Sequence, residues 1–331
     1  MPDTLVDTNV LKAAVELACR APSLHNSQPW RWVAERSRLH LYLDHARILY
    51  STDKSGREAL ISCGAALDHL RVAMAAAGWA AGTDRFPDPN DRDHLASLGF
   101  SPMSVVTEDD RRRADAILQR HTDRLPFLAP SNWESLEPVL RNAVDAVDAG
   151  TVHLDVLADE LRPELARASQ LTESLREYDS SYHTELDWWT NHFESVEGIP
   201  GSSLPSAAES GEVDVARRFP AGPHDLRRAY IGQDESKVLV LSTDEDTRDA
   251  ALRCGEALSA VLLECTVAGL ATCPLTHLTE LWSSRNLIGS LTGREAMQQV
   301  LIRVGDAPAL GEAPHMTPRR PVHEVLTFSD A

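Results

Sequence analysis

The sequence predicts an α+β protein made of two unequal, related units in one chain, with a long irregular excursion inside the second. Three observations lead there. Gly56 to Ala80 aligns without gaps on Thr247 to Ala271, 191 positions later, and nine of these 25 pairs are identical, among them Arg57/Arg248, Cys63/Cys254, Gly64/Gly255, Leu67/Leu258 and Gly78/Gly269. Each copy reads as an almost wholly apolar helix, and strand-like runs accompany them: Leu39, Leu41 and Leu43 in alternation, Lys237 to Leu241, and Val300 to Val304. The stretch from Tyr178 to Gln233 holds Trp188, Trp189, Phe193, Gly198, Pro200, Gly201, Pro205, Pro220 and Pro223 among acids and serines, so it is no single regular element. Helices too apolar to face water must cover each other, so Ala59–Gly78 and Ala250–Gly269 are expected to pack about a pseudo-twofold axis.

With 331 residues and 43% hydrophobic content the chain can build a sizeable core. A net charge of −18, from 50 acids against 32 bases, opposes nucleic-acid or anionic-membrane binding, and a bound phosphate would need a local arginine cluster. The longest apolar-rich run, Val72 to Ala81, is too short to span a bilayer, and Met1 to Asp7 lacks a basic region followed by an apolar one. A cytoplasmic protein is expected. Cys19, Cys63, Cys254, Cys265 and Cys273 lack C-x-x-C spacing and read as reduced core thiols.

In order, an amphipathic helix (Val10, Leu11, Ala14, Val15, Ala18) runs into Pro22, which turns the chain, and a strand begins at Trp30. Ser55 followed by Glu58 fits a capping box for the first long helix, which ends at Gly78. A polar loop is expected at Asp84 to His94. The first unit finishes by about Pro102 to Thr107, and the charge run Glu108 to Arg113 opens a solvated helix. Further helices are expected at Trp133 to Val147 and Arg162 to Glu177, with a strand at Val152 to Leu157 between them. The units divide at 1–115 and 116–331, with a lid at about 178–233.

Chemistry concentrates in few places. Ser23, Asn26 and Gln28, between Pro22 and Pro29, suit a flat polar heterocycle, or else a turn that satisfies its own backbone. Arg120-x-Thr122-x-Arg124 sets two cations beside a hydroxyl on one side of an extended segment, which suits a phosphate or a surface ion-pair segment. No nucleotide-loop, zincin or nucleophile-elbow motif is present, and the scattered histidines, such as His40 and His45 or His183 and His192, lack metal-ligand spacing.

Ala21-Pro22-Ser23-Leu24-His25-Asn26-Ser27-Gln28-Pro29-Trp30 resembles the flavin-contacting loop of the nitroreductase family, A-P-S-x-x-N-x-Q-P-W, and more closely that of its Acg-type flavoproteins. The resemblance implies that Pro22, Ser23, Leu24 and Asn26 line an FMN, with Gln28 behind them. Arg120, Thr122 and Arg124 resemble the family's R-x-[ST]-x-R phosphate element, and Pro318 to Val325 its closing basic segment, whose arginine, here Arg319 or Arg320, also reaches the phosphate. Ala271 to Leu278 stands where a backbone N–H near Thr276 approaches flavin N5, but Thr276-His277 replaces the usual acidic residue or glycine followed by glycine. Glu185 to Thr190 with Gly198-Ile199-Pro200 resembles the Acg-type excursion over the flavin, with Trp188 and Trp189 in the lid. A nitroreductase is ordinarily a homodimer. Here Met1 to Asn9 carries no arginine, and Asp145 to Thr151 stands where the second half would need its own P-S-x-x-N loop. This implies a nitroreductase-like fold of two fused units mimicking that homodimer, a monomer, and one FMN per chain. The implied function is NAD(P)H-dependent reduction of nitroaromatics or quinones, or else an FMN-sequestering protein closed under its lid. Flavin carries its own redox chemistry, so no catalytic side chain or metal is implied.

Overall fold

The computed structural model describes residues 5–190, 197–223, 227–228, 231–308, 310 and 316–329. The first unit runs α1 (Thr8–Ala18), β1 (Trp30–Glu35), β2 (Arg38–Leu43), α2 (Arg57–Ala76), β3 (Trp79–Arg85) and β4 (His94–Pro102). Linker helix α3 (Glu108–Gln119) follows, opened by a Thr107–Asp110 capping box. The second unit begins with α4 (Trp133–Val147) and β5 (Val152–Val156), then makes its excursion through α5 (Arg162–Arg176), α6 (Ser180–Thr190) and α7 (Ala207–Gly211). It resumes with β6 (Lys237–Thr243), α8 (Arg248–Val267), β7 (Ala271–Leu275), α9 (His277–Glu280), α10 (Trp282–Thr292) and β8 (Met297–Gly305), and ends in α11 (Val322–Val325) and β9 (Leu326–Ser329).

The repeat reaches well beyond 25 positions. Strand order is β3-β4-β2-β1 in one sheet and β7-β8-β6-β5 in the other, all antiparallel, with α2 and α8 at equivalent places and bounds 191 apart. The second unit is longer because α5–α7 are inserted between β5 and β6, and α9–α10 between β7 and β8. One strand breaks the symmetry: β9 lies parallel beside β1, so the chain returns from the second unit to finish the first sheet.

The long helices cross at Gly64 and Gly255. A Cβ on Gly64 would stand 2.0 Å from the Leu252 carbonyl oxygen, and one on Gly255 would stand 2.0 Å from that of Ile61. The backbones therefore touch, and Leu67, Leu70, Leu252, Leu258, Val261 and Leu262 close the core around the crossing. α2 is long and apolar enough to cross a membrane, yet 78% of that window is buried inside this protein. All five cysteines are unpaired and buried.

Asp68 and Ser259, also 191 positions apart, meet between these helices, with the Ser259 hydroxyl donating to the carboxylate at 2.6 Å. Burial pushes Asp68 up to about 6. A carboxyl whose folded pKa exceeds its unfolded value opposes folding once it ionises, so its cost is absent below about pH 4, grows to about pH 6 and then stays. Asp68→Asn, which keeps an oxygen to accept from Ser259, is expected to stabilise the protein by about 2–3 kcal/mol at pH 7.5 and by less than about 1 kcal/mol at pH 4. Urea unfolding at both pH values checks this, and a pH-independent difference between the proteins would contradict it.

Two local expectations are corrected. Ser55 does not cap α2: Gly56, at φ 73°, is the residue before the helix, and the nearby Asp53 carboxylate accepts from Ala59 N at 2.9 Å instead. The polar loop expected at Asp84 to His94 is shorter, because β3 extends to Arg85 and pairs with β4 from Trp79↔Pro102 to Arg85↔Ala96. His40, one of the scattered histidines, packs against His94, with ring nitrogens 2.9 Å apart.

Candidate functional site

A cavity of about 930 Å3 lies between the units, at the upper end of the range for ligand pockets, about 300–1,000 Å3. Its walls are the loop after α1, the first turns of α2, the segment between α3 and α4, the β7–α9 junction, residues 316–319 and part of the excursion.

The loop after α1 is held under strain. His25, Asn26 and Gln28 all have left-handed backbone (φ 48°, 60° and 52°), a conformation costing non-glycine residues about 1–2 kcal/mol each. Leu24 N donates to Ser62 Oγ at 3.2 Å, Gln28 N to Ser23 Oγ at 3.1 Å, and Arg320 N to Gln28 Oε1 at 2.9 Å. Asn26 Nδ2 donates to the Gly198 and Pro318 carbonyls at 3.0 and 3.2 Å, and its buried Oδ1 has no partner among the described residues. Pro22, Ser23, Leu24 and Asn26 line the cavity, while Gln28 supports the loop from behind.

At one end three guanidiniums gather: Arg20, Arg120 and Arg319. Arg120 Nη2 donates to Arg20 O at 3.2 Å, Arg319 Nε to Cys19 O at 2.8 Å, and Arg20 Nη1 to Thr317 O at 3.1 Å. Burial and then Arg20 hold Arg120 down to about 10, and burial with Arg20 and Arg120 holds Arg319 well below its usual value. Among the described residues none of the three forms an ion pair, and Arg20 Nε, Arg120 Nε and Arg120 Nη1 are buried without a partner. Desolvated cations satisfied only by carbonyls are unfavourable until an anion joins them, and a phosphate has the oxygens that these N–H groups lack.

The segment after α3 runs extended beside β7, with Asp123 N donating to Thr272 O at 3.0 Å. Alternation then turns Asp123 away from the cavity into a buried pair with Arg228, at 2.6 Å, while Arg120, Thr122 and Arg124 line the cavity. Arg124 stands apart from the trio: its guanidinium lies 5.1 Å from the Phe219 ring centre, and its charged neighbours are Asp123 and Arg217. Of the two C-terminal candidates, Arg319 lines the cavity, whereas Arg320 lies 3.8 Å from Asp44 and 3.5 Å from Glu324. Thr276 lines the cavity too, its hydroxyl 3.3 Å from Arg217 Nη2. The His277 that follows it is buried, neutral through burial and Arg217, and 2.9 Å from Ser169 Oγ.

Trp188 and Trp189 do not line the cavity. Helix α6 is seated outside it because Glu185 accepts from Ser51 N, Thr52 N and Thr52 Oγ1 at 3.0, 2.8 and 2.6 Å, and Trp189 turns into the protein. The excursion meets the cavity on either side of α6, through Ser169 and Glu173 of α5 and then through Ile199, Pro200, Val213, Arg217 and Phe219. It is tied down by Arg47 to Glu197, by Asn26 to Gly198, and by Arg217 to Glu280 and to the Tyr182 hydroxyl at 2.8 Å. Positions 191–196, which include His192 and Phe193, and 224–226 and 229–230 fall within the expected lid but outside the described residues. Sequence reasoning missed Arg20, Ser62, Arg217 and Phe219. Only Arg20 had a usable signal, standing directly before the Ala21–Trp30 loop.

The pseudo-equivalent position is built differently. Arg253 stands 191 positions from Ser62 and pairs with Asp148 and Asp249 at 3.2 and 2.6 Å, and Arg85, 191 positions from Thr276, grips Glu256 at 2.7 and 2.8 Å.

No protein-family profile matches the chain. It is 62% identical over 326 residues, 98% of both chains, to a Mycobacterium tuberculosis protein named "Putative NAD(P)H nitroreductase acg". It is 36% identical over 331 residues, 98% of this chain and 93% of the relative, to "Putative NAD(P)H nitroreductase Rv3131" of the same organism. Its fold resembles that of a crystal structure described as a "putative nitroreductase" from Anabaena variabilis, with a TM-score of 0.51 and 8% identity over 90% of this chain and 73% of that one.

Proposed function

The chain belongs to the Acg-type nitroreductase family, and from that premise we propose that it binds one FMN between its two units and passes electrons from NAD(P)H to nitroaromatic or quinone acceptors. The observation that carries this reading is the trio of buried Arg120 with half-buried Arg20 and Arg319, which has no carboxylate partner among the described residues. These three would hold the phosphate, with Thr122 adding a hydroxyl. Pro22, Ser23, Leu24 and Asn26 would line the flavin, and the unpartnered Asn26 Oδ1 suits an N–H of the heterocycle. Bound FMN supplies the hydride chemistry, and the chain's own task is to bind, orient and exclude water. The units would divide at 1–115 and 116–331, apart from the returning strand β9.

One flavin per chain is expected, with the monomer as the functional unit. The pseudo-equivalent position has an Arg253–Asp148 pair where Ser62 and the Ser/Asn loop would be needed, and Arg85–Glu256 closes the other side. Quantitative absorbance after denaturation checks the count, and two flavins per chain would sink it.

A second reading, that FMN is sequestered with little turnover, is favoured by the ties on the excursion at Glu197, Gly198 and Arg217. One experiment separates the two. The purified protein should carry a flavin absorbance band. Bleaching of that band by anaerobic NADPH supports the oxidoreductase, persistence supports sequestration, and a chain that takes up no FMN overturns both.

A further inference from the structure

Resting on the flavin reading above, we propose that His25 recognises the flavin's redox partner, donating a hydrogen bond to the carbonyl or nitro oxygen of a flat ring. His25 lines the cavity at 5% exposure, and both its ring nitrogens are buried without a partner among the described residues. An unmet buried donor or acceptor costs about 1–3 kcal/mol, so it calls for a ligand or another account. Its neighbours are committed elsewhere: Ser23 to Gln28, Leu24 to Ser62, and Asn26 to Gly198 and Pro318. The His25 backbone is left-handed at φ 48°, uncommon for a non-glycine residue and characteristic of positions where a side chain is aimed for a purpose.

The surroundings state what would fit. Phe219 stands edge-on to the imidazole, with ring centres 6.0 Å apart and planes at 71°, and Arg124 lies over the Phe219 ring at 5.1 Å. That gives an apolar wall for a flat ring. Burial, then Arg217 and Arg124, keep the imidazole neutral, so it offers one N–H and one lone pair. The nearby guanidiniums favour a guest that presents an oxygen acceptor. His277, the other buried histidine of the cavity, already has Ser169 on one nitrogen. The carboxamide of a nicotinamide and the oxygen of a nitroaromatic or quinone share this chemistry, so the test has two arms.

Flavin-loaded, oxidised protein with no electron source is titrated with NADP+ in one arm and with nitrobenzene or 1,4-naphthoquinone in the other, each read by perturbation of the flavin band. His25→Leu is expected to raise the dissociation constant at least about tenfold in one or both arms, while His25→Gln, which keeps a donor, stays within about threefold. Loss with NADP+ alone assigns the reductant, loss with the other probes alone assigns the acceptor, and loss in both assigns a position they share. FMN affinity, measured in parallel, should stay within about twofold and shows that the variants fold. A wild-type chain with no flavin band overturns the flavin reading and the assignment together. Loaded wild type that binds none of the probes, an unchanged constant in His25→Leu, or a fall in FMN affinity itself overturns the assignment alone.

Discussion

Gly64→Ala is expected to lose at least about 4 kcal/mol of stability, a large share of the roughly 5–15 kcal/mol that holds a typical domain together. The added methyl would sit 2.0 Å from Leu252 O, 2.9 Å from Leu252 C and 2.9 Å from Gly255 Cα. All three are backbone atoms, so no side chain can rotate away, and relief requires the two helices to separate. Separation would open the core of both units at once, because α2 and α8 bury faces of Leu67, Leu70, Leu258 and Leu262 against one another. Gly255→Ala, with Ile61 O at 2.0 Å, should behave alike, whereas Gly99→Ala, with nothing within 4 Å, is the control. Urea unfolding of the three proteins decides it. Near-wild-type stability in Gly64→Ala would mean that the helices do not cross where described.

Arg120→Ala is expected to lower FMN affinity by about 10- to 150-fold, the loss of a charge-assisted interaction of about 1.5–3 kcal/mol. The ligand-free protein should respond in the opposite sense. Arg120 is buried beside Arg20 and Arg319 with no described carboxylate partner, so its removal relieves repulsion and desolvation, and the flavin-free chain should melt higher. A residue that merely braced the fold would lower both quantities. Arg320→Ala should change affinity by no more than about threefold, since that guanidinium faces Asp44 and Glu324 and only its backbone N–H reaches the loop. Isothermal titration with FMN and melting of the flavin-free proteins give both numbers. Unchanged affinity in Arg120→Ala would remove the trio from the phosphate.

The parts of the fold that the sequence made legible are those where burial alone decides the pattern. α2 and α8 are too apolar to do anything but cover each other, and α4 and α5 declare themselves by amphipathic spacing. β3 was illegible because Trp-Ala-Ala-Gly-Thr-Asp-Arg has little strand propensity and is only half-buried on one face, so pairing with β4 makes it a strand. Ser55 resembled a cap because spacing cannot reveal a left-handed Gly56 one residue later. At the site, side chains that reach by alternation along an extended segment, Arg120, Thr122 and Arg124, could be read from a string of letters. Arg217 and Phe219 could not, since they arrive from an irregular stretch whose path is set by ion pairs such as Arg162–Asp214 and Arg227–Glu209. Trp188 and Trp189 drew attention by size, but a helix seated by Glu185 carries them elsewhere.

Strand β9 and Arg319 bear on the order in which this protein can be made. The first sheet takes its fifth strand from residues 326–329, and the arginine trio takes its third member from residue 319, so both stay incomplete while a ribosome is still adding the preceding three hundred residues. Early segments would wait with an unpaired β1 edge and a cationic hollow, and the flavin could be captured only after that late segment threads back. Cofactor loading would then be a late event, coupled to closure of the chain upon itself.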